Sequence, residues 1–309
     1  MYRKRFFLFL TLCLLFTGCG SKKEPSASAP EASAAEKPER DSTPVVLVPE
    51  ASGKTVYEND LAAIDASHTE DGYVMVCYKG TVQNVKLLID TPSGVTYIYT
   101  VGSGYETFPL TDGNGSYKIS VWEQRPATGD YVNAISQTVE ISIANEFSPY
   151  LYPNQYVNFS PGNRVVAQGE QLAAGASDDL ETVSRIYDYV TTHITYDNAK
   201  AASVESGYVP DVDEILESGT GICFDYAAVM ASMLRTQRIP TRLEIGYAGN
   251  VYHAWISTHI DELGWVNGII QFDGSRWQLM DPTFAANSSS SDLKSFIGDG
   301  YNYQTKFIY

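Results

Sequence analysis

The chain has 309 residues, with 37 acidic side chains against 21 lysines and arginines and a formal net charge of −16 at pH 7. Its apolar fraction of 44% and charged fraction of 19% are those of a globular protein and exclude a chain that is disordered throughout. The negative charge argues against nucleic-acid binding, because a phosphate backbone is bound by clustered lysines and arginines. The length predicts about two domains, since a domain averages roughly 150 residues.

The N-terminal residues 1–18 have the pattern of an export signal. A basic segment at residues 3–5 precedes an apolar run at residues 6–16, which is shorter than the roughly 20 residues a membrane-spanning helix needs. The end of this segment resembles a bacterial lipoprotein signal, in which a cysteine, here Cys19, is lipidated and becomes the mature N-terminus. Phe16 stands where that signal usually has leucine, and a plain secretory signal cut nearby is the alternative.

The lipoprotein resemblance implies a location outside the cytoplasm. A lipid on Cys19 would anchor the protein to the outer face of the plasma membrane, and Gly20 with the Ser-Lys-Lys that follows is similar to lipoproteins of Gram-positive bacteria. Residues 19–55 are predicted to be a disordered tether, because their Ala, Ser, Pro and Glu residues offer little apolar surface to bury.

Residues 56–146 alternate between apolar and polar side chains in short runs separated by turn residues. The strand-like runs lie at residues 74–78, 85–89, 96–99, 117–121 and 137–143, with turns at 91–94 and 112–115. Short strands at this spacing predict a small β-sandwich. The region resembles immunoglobulin-like or fibronectin-like modules in general pattern, and its residues do not indicate whether it is a spacer or a binding module.

The C-terminal region, residues 147–309, has a different pattern. Asp178 and Glu181 form a capping pair at the start of an apolar repeat with helical spacing. A second helix is predicted to begin near Thr220 and to end near Pro240. Strand-like segments follow at residues 242–247, 251–258, 266–272 and 277–280. A buried helix followed by an antiparallel sheet predicts an α+β domain.

Three short motifs occur in order in this region. Gly219-Thr220-Gly221-Ile222-Cys223 opens the second helix, and His253-Ala254-Trp255 lies on a predicted strand. Trp277-Gln278-Leu279-Met280-Asp281-Pro282-Thr283 comes last. Together they resemble the transglutaminase-like superfamily, which implies a papain-like α+β fold for residues 147–309.

That resemblance implies a catalytic triad of Cys223, His253 and Asp281. A thiolate at the first turn of a helix is stabilised by backbone N–H groups, which can also hold an oxyanion. His253 would pair with the thiolate and protonate the leaving amine, and Asp281 would orient the imidazole. Asp281 has an alternative role as the start of a turn before Pro282. The resulting thioester can be attacked by water or by an amine, and the triad does not distinguish hydrolysis from cross-linking.

Other residues near these motifs have open roles. Family analogy implies a further oxyanion donor, for which Tyr196 is the candidate, although many of the 22 tyrosines are expected to be packing groups. Asp225 and Tyr226 are either structural or face the substrate. Trp255 and Trp265 either shape the cleft or pack in the core.

The four cysteines predict no disulfide and no zinc site, because their spacing fits neither. Cys13 is expected to leave with the signal, Cys19 to carry the lipid, Cys77 to fill the core of a strand, and Cys223 to be the nucleophile.

The sequence therefore predicts a cell-surface lipoprotein that acts on protein or peptide amides, either as a cysteine protease or amidase or as a cross-linking transglutaminase. A non-enzymatic surface binding module that keeps the same fold is the alternative. No cofactor, metal or nucleic-acid partner is expected, and the residues offer no ligand cluster for the calcium that regulates some family members. The substrate and the oligomeric state stay open.

Overall fold

The computed structural model describes residues 39–248, 250–261, 263–266, 271–272, 277–278 and 303–309. The predicted export signal lies outside these ranges, and so do Cys13, Cys19 and Asp281. The chain divides into the units Met1–Lys37 and Pro38–Tyr309, and everything described belongs to the second.

The first half of the described unit contains two four-stranded antiparallel sheets. One has the order β1-β2-β3-β6 and the other has the order β5-β4-β7-β8. The strands are β1 (Val56–Glu58), β2 (Ala62–Asp65), β3 (Tyr73–Tyr78), β4 (Val85–Asp90), β5 (Thr96–Thr100), β6 (Glu106–Pro109), β7 (Gly115–Gln124) and β8 (Tyr131–Ile141). The strand-like runs expected in this region lie on strands, except that β8 ends at Ile141, before the end of the run expected at 137–143.

The alternation of side chains explains why these strands form a core. Along β4, Val85, Leu87 and Ile89 are buried, whereas the residues between them face outward. Strands of both sheets contribute to the same hydrophobic core. At the start of β7, the Tyr117 hydroxyl donates to the Gly113 carbonyl (2.9 Å) and accepts from the backbone N–H of Asp112 (3.0 Å). The assignment of this region as an immunoglobulin-like sandwich remains a prediction.

The second half begins with helices. They are α1 (Arg164–Ala173), α2 (Asp179–His193), α3 (Asn198–Ser203), α4 (Val212–Ser218) and α5 (Cys223–Thr236). The predicted capping pair is present at α2, where Asp178 accepts from the backbone N–H of Glu181 (2.9 Å) and Glu181 accepts from that of Ser177 (2.8 Å). The sequence did not predict α1, α3 or α4, and α3 and α4 have only six and seven residues.

Helix α5 is buried from Asp225 to its end and packs against a four-stranded antiparallel sheet. That sheet has the order β13-β12-β11-β16. The strands of this half are β9 (Thr195–Tyr196), β10 (Thr220–Gly221), β11 (Thr241–Ala248), β12 (Val251–Ile260), β13 (Gly264–Val266), β14 (Gln271–Phe272), β15 (Trp277–Gln278) and β16 (Tyr303–Ile308). The mixed α/β content predicted for this region is confirmed, and β16 is an addition that the sequence did not predict.

The end of the chain joins the two halves. The backbone N–H of Ile308 donates to the Tyr97 hydroxyl of β5 (3.1 Å), and its carbonyl accepts from Thr111 Oγ1 (2.8 Å). The Tyr309 ring meets those of Tyr97 and Tyr156 edge-on, at centroid distances of 5.5 and 4.8 Å. These contacts hold the β4–β5 side of the second sheet beside the helical half.

Part of the predicted tether, residues 39–55, lies against the folded unit. The Arg40 guanidinium contacts the Asp179 carboxylate and donates to Gln237 Oε1 (3.1 Å). The backbone N–H of Val45 donates to the carbonyl of Thr236 (2.8 Å). These polar anchors give this segment defined contacts where composition alone predicted disorder. The domain boundaries themselves stay a prediction.

Candidate active site

Cys223 is the first residue of α5, directly after the N-cap residue Ile222. Its side chain is partly exposed, and Cys223 and Cys77 are free thiols within the described ranges. The helix begins here because the Asp225 carboxylate folds back and accepts the backbone N–H of Ile222 (2.9 Å). This is the reciprocal half of a capping box, which satisfies a donor that the helix leaves unpaired.

Gly221 makes room for that cap. A β-carbon at position 221 would lie 2.7 Å from the β-carbon of Asp225 and 3.1 Å from its Oδ2. Contacts this short would displace the capping carboxylate. The glycine of the motif is therefore needed to place the first turn of α5, and with it the thiol of Cys223.

Opposing influences act on the Cys223 thiol. Burial raises its pKa, and the backbone N–H groups of Ala254, Phe224 and Cys223 itself lower it. Two of these N–H groups belong to the first turn of α5, as the sequence predicted. The third belongs to β12, so the sulfur lies where the helix meets the sheet.

His253 lies on β12, next to Ala254 and opposite Gly246 of β11. Its side chain is only 6% exposed. Burial lowers the pKa of His253 to about 4, so the imidazole is neutral at pH 7. The glycine at position 246 is required because β16 passes close by, and a β-carbon there would lie 2.0 Å from the carbonyl oxygen of Gln304.

Tyr196 is brought to the same place by a short parallel pairing of β9 with β10, in which Tyr196 lies opposite Gly221. Burial raises the pKa of Tyr196 most, and the charge on Cys223 raises it further. A hydrogen bond with the backbone N–H of Cys223 lowers it. The Tyr196 hydroxyl therefore lies beside Cys223.

A cleft of about 620 Å³ opens over these three residues. Cys223, His253 and Tyr196 all line it. Its remaining walls come from β4 and β5, the loop after α3, the hairpin of β11 and β12, and the end of the chain. They include Lys86, Thr96, Ile98, Thr100, Tyr156, Val204, Glu205, Gly207, Tyr208, Phe224, Ile245, Tyr252, Phe307 and Tyr309.

A buried polar cluster ties one wall of the cleft to α5. The fully buried Asp225 carboxylate accepts from the Lys200 ammonium (2.7 Å) and from the Tyr208 hydroxyl (2.6 Å). The Lys200 ammonium also donates to the Tyr208 hydroxyl (2.6 Å). Asp225 is thus a structural residue in this arrangement. The sequence signal for it was its position three residues after the N-cap, whereas nothing pointed to Lys200 or Tyr208.

Both tryptophans considered for the cleft pack elsewhere. Trp255 is buried and meets the Tyr303 ring at 5.0 Å. Trp265 lies under the Arg242 guanidinium at 3.6 Å. Cys77 was expected to fill the core of its strand. It is partly exposed instead, because its side chain lies on the other face of β3 from the buried Val76.

The remaining member of the predicted triad, Asp281, lies outside the described residues. β14 and β15 pair in antiparallel fashion, with Phe272 opposite Trp277. The described part of the chain thus brings together Cys223, His253 and the oxyanion candidate Tyr196.

Residues 167–282 match the family model described as the transglutaminase-like superfamily. This segment is a transglutaminase-like domain. The match begins within α1 and includes Tyr196, Cys223, His253 and Asp281. No curated protein matches the chain.

Three solved structures are similar to the chain at low identity. A candidate cysteine protease from Cytophaga hutchinsonii is 14% identical, with a TM-score of 0.33 over 74% of this chain and 68% of that one. A candidate protease from Parabacteroides distasonis is 16% identical, with a TM-score of 0.30 over 58% of this chain and 36% of that one. Red sea bream transglutaminase is 14% identical, with a TM-score of 0.30 over 68% of this chain. The chain spans 48% of the length of the transglutaminase.

Proposed function

We propose that the transglutaminase-like domain is a cysteine enzyme that transfers acyl groups from amides of proteins or peptides. The observation that carries this proposal is the convergence of Cys223 and His253 in one cleft from two different elements. A thiol that shares a cleft with an imidazole and faces several backbone N–H groups has the parts of a nucleophile, a base and an oxyanion site.

In the proposed reaction, His253 accepts the proton of the Cys223 thiol and the sulfur attacks the amide carbonyl carbon. Backbone N–H groups at the start of α5 stabilise the negative charge that forms on the carbonyl oxygen. His253 then protonates the leaving amine, the C–N bond breaks, and a thioester remains on Cys223. Water or a second amine then attacks the thioester carbonyl carbon while His253 accepts its proton. The C–S bond breaks, the acid or the new amide leaves, and His253 returns the proton to the sulfur of Cys223.

Burial favours a resting state in which both groups are neutral. The pKa of Cys223 is raised and that of His253 is lowered to about 4, so a lone charge on either group is disfavoured. Proton transfer between them creates a pair of opposite charges, which costs less than a single buried charge. We assign to Asp281 the role of accepting the other ring N–H of His253 and so fixing the orientation of the imidazole.

We assign to Tyr196 the part of a side-chain oxyanion donor. Its hydroxyl lies beside Cys223, and its raised pKa keeps it protonated and able to donate a hydrogen bond at neutral pH. Replacement by phenylalanine should lower kcat while it leaves the alkylation of Cys223 by a small reagent nearly unchanged.

The products of the reaction test the proposal. The chain from residue 20 onward would be incubated with cell-surface proteins, with and without an added primary amine, and compared with Cys223→Ala. New fragments indicate hydrolysis and cross-linked or amine-labelled species indicate transfer. The absence of both in the active chain, with binding retained, would favour the alternative of a non-enzymatic binding module.

We further propose that the protein is a lipoprotein held at the outer face of the plasma membrane through Cys19. The basic segment, the short apolar run and the Gly-Cys pair support this. Within the described residues, no helix has the length and apolarity to cross a membrane. A labelled lipid precursor should be incorporated by the wild-type chain and not by Cys19→Ala, and equal labelling of both would contradict the anchor.

For residues 56–146 we propose an immunoglobulin-like sandwich. Its strand orders support this, because β2-β3-β6 corresponds to A-B-E and β5-β4-β7-β8 to C′-C-F-G, with β1 as an additional edge strand. The hydrogen bond from the Tyr117 hydroxyl back to Gly113 resembles the tyrosine corner found at the start of strand F. An experimental structure with a different strand order would overturn this assignment.

A further inference from the structure

The outer face of β4 and β5 forms one wall of the cleft. Thr96, Ile98 and Thr100 alternate along β5, and all three line the cleft together with Lys86 of β4. Lys86 lies directly opposite Thr100 in the sheet. Their intervening neighbours, including Tyr97 and Tyr99, point into the core instead. The first half of the molecule therefore contributes side chains to the same cavity as Cys223.

The edge of this wall is open for pairing. β5 is the outermost strand of its sheet, and no other strand within the described ranges pairs with it besides β4. The backbone N–H of Thr91 donates to the carbonyl of Val95 (2.9 Å), and the backbone N–H of Val101 donates to the carbonyl of Val85 (3.1 Å). These two bonds fix which residues of β5 direct their backbone groups to β4. Backbone groups of every second residue, starting from Val95, therefore point to β4.

It follows that the backbone groups of Thr96, Ile98 and Thr100 point to the open edge. The Thr100 carbonyl already accepts a hydrogen bond there, from the side-chain amide of Gln155 (2.7 Å). Extended peptides bind such edges by adding a strand, with backbone hydrogen bonds for affinity and alternate side chains for specificity.

The chemistry of the wall indicates which peptide fits. Ile98 is 58% exposed, which is high for a large apolar side chain in a strand, and an occupant of the cleft would cover it. The Lys86 ammonium donates to the Thr100 hydroxyl (2.9 Å), and no carboxylate of the described residues forms an ion pair with it. Within the described residues, the charged side chains that line the cleft besides Cys223 and His253 are Lys86 and Glu205.

We propose that β5 and Lys86 are the substrate-selecting wall of this cleft, and that they bind an extended peptide segment with an acidic side chain near the attacked amide. The Lys86 ammonium pairs with the peptide carboxylate, Ile98 packs against a neighbouring apolar side chain, and the edge of β5 binds the peptide backbone. This inference rests on the proposed function, because the same cleft must hold the acyl donor of Cys223.

A set of peptide chloromethyl ketones tests the wall without any need for turnover. The probes differ in one residue, glutamate, glutamine or lysine, at each of three positions next to the ketone, and each alkylates Cys223 by loss of chloride. With the full chain we expect the best glutamate probe to react about fivefold faster than its glutamine counterpart. Lys86→Gln should remove that preference, and Lys86→Glu should reverse it in favour of the lysine probe.

Two further variants sharpen the test. Ile98→Ser should slow all peptide probes severalfold and leave the reaction with iodoacetamide unchanged, because that reagent is too small to touch the wall. Lys118→Gln is the matched control, since Lys118 lies opposite Asp90 on the same face of the same sheet but does not line the cleft. It should react with all probes like the wild type.

The outcomes separate the wall from the proposed function. Unchanged selectivity among the probes in Lys86→Glu and unchanged rates in Ile98→Ser, with normal iodoacetamide labelling of Cys223, would overturn the wall alone. Slow iodoacetamide labelling that does not depend on His253 would overturn the proposed function and the wall with it. Thermal unfolding checks that each variant is folded. We expect the variants to fold, because Lys86 is half-buried and Ile98 is exposed.

Discussion

The two halves of the described unit bury polar side chains to very different extents. The strand-rich half, up to Ile141, buries Asp65, Thr91 and Ser120. The half that contains Cys223 buries Asn154, Thr182, Asp225, Ser232, Arg235, Thr236, Gln237, Thr241, Glu244, His253, Ser257 and Thr258. Buried polar groups are costly unless they are paired. The second half therefore accepts this cost around α5 and β12, the two elements that carry Cys223 and His253.

Arg235 shows what these groups do. Its fully buried guanidinium donates to the carbonyls of Thr241 (2.8 Å), Tyr152 (2.6 Å) and Tyr309 (2.8 Å). Burial lowers its pKa to about 9, which leaves it charged at neutral pH. One side chain thus joins the end of α5 to β11, to the segment before α1 and to the chain end. In the strand-rich half, the strands are held together mainly by apolar side chains that pack in the core.

Removal of Arg235 should produce the largest loss of stability. Arg235→Met removes the guanidinium donor from the carbonyls of Thr241 and Tyr152 and leaves the Tyr309 carbonyl with only the Leu243 N–H, and we expect the free energy of unfolding to fall by about 3–5 kcal/mol. Denaturant unfolding measures this. Arg164→Met is the control, because Arg164 is exposed and its loss should cost less than about 0.5 kcal/mol. A loss below about 1 kcal/mol in Arg235→Met would remove the contrast between the halves.

The pH dependence of the free energy of unfolding should show that the His253 imidazole is buried in its neutral form. Its pKa is about 4 in the folded chain and close to 6.5 when unfolded, so the unfolded state binds more protons between these values. The stabilisation is complete above pH 6.5 and is lost as the pH falls towards 4, by about 3 kcal/mol. Unfolding curves of the wild type and His253→Gln should therefore converge over this window. Curves that stay parallel would contradict the burial of a neutral imidazole.

The Asp225 cluster should have a smaller effect on stability and a separate effect on the thiol. Asp225→Asn presents an amide group to the Lys200 and Tyr208 donors, and we expect a loss of about 2 kcal/mol in the free energy of unfolding. Because the amide has one acceptor oxygen for the donors of Ile222, Lys200 and Tyr208, the first turn of α5 is held less firmly, and alkylation of Cys223 should slow severalfold. Wild-type alkylation in a destabilised variant would show that the cluster stabilises the fold without positioning the thiol.

The smallest effect is expected in the strand-rich half. Tyr117→Phe removes the hydrogen bonds to Gly113 and Asp112 and should cost about 1 kcal/mol in the free energy of unfolding. Alkylation of Cys223 should not change, because Tyr117 does not line the cleft. A change in that rate would mean that the strand-rich half influences Cys223 through residues other than the wall formed by β5.

The sequence predicted the parts of this molecule that local patterns specify. Alternation located β4 and β5, and the Asp178–Glu181 pair located the start of α2, because both signals depend on near neighbours. The motifs at Cys223 and His253 predicted which side chains share the cleft. The pairing of Asp225 with Lys200 and Tyr208 could not be predicted, since it depends on a loop that folds over α5. The contribution of β5 to the cleft depends on the packing of Tyr309 between the halves, which no local pattern encodes.

Site-resolved alkylation by iodoacetamide tests the central claim most directly. Cys77 is a partly exposed thiol that does not line the cleft containing His253, and it serves as the internal reference. We expect Cys223 to be labelled at least about tenfold faster than Cys77 at pH 7, and we expect His253→Gln to abolish that advantage. Equal, slow labelling of both thiols, unaffected by His253→Gln, would contradict a nucleophile at Cys223.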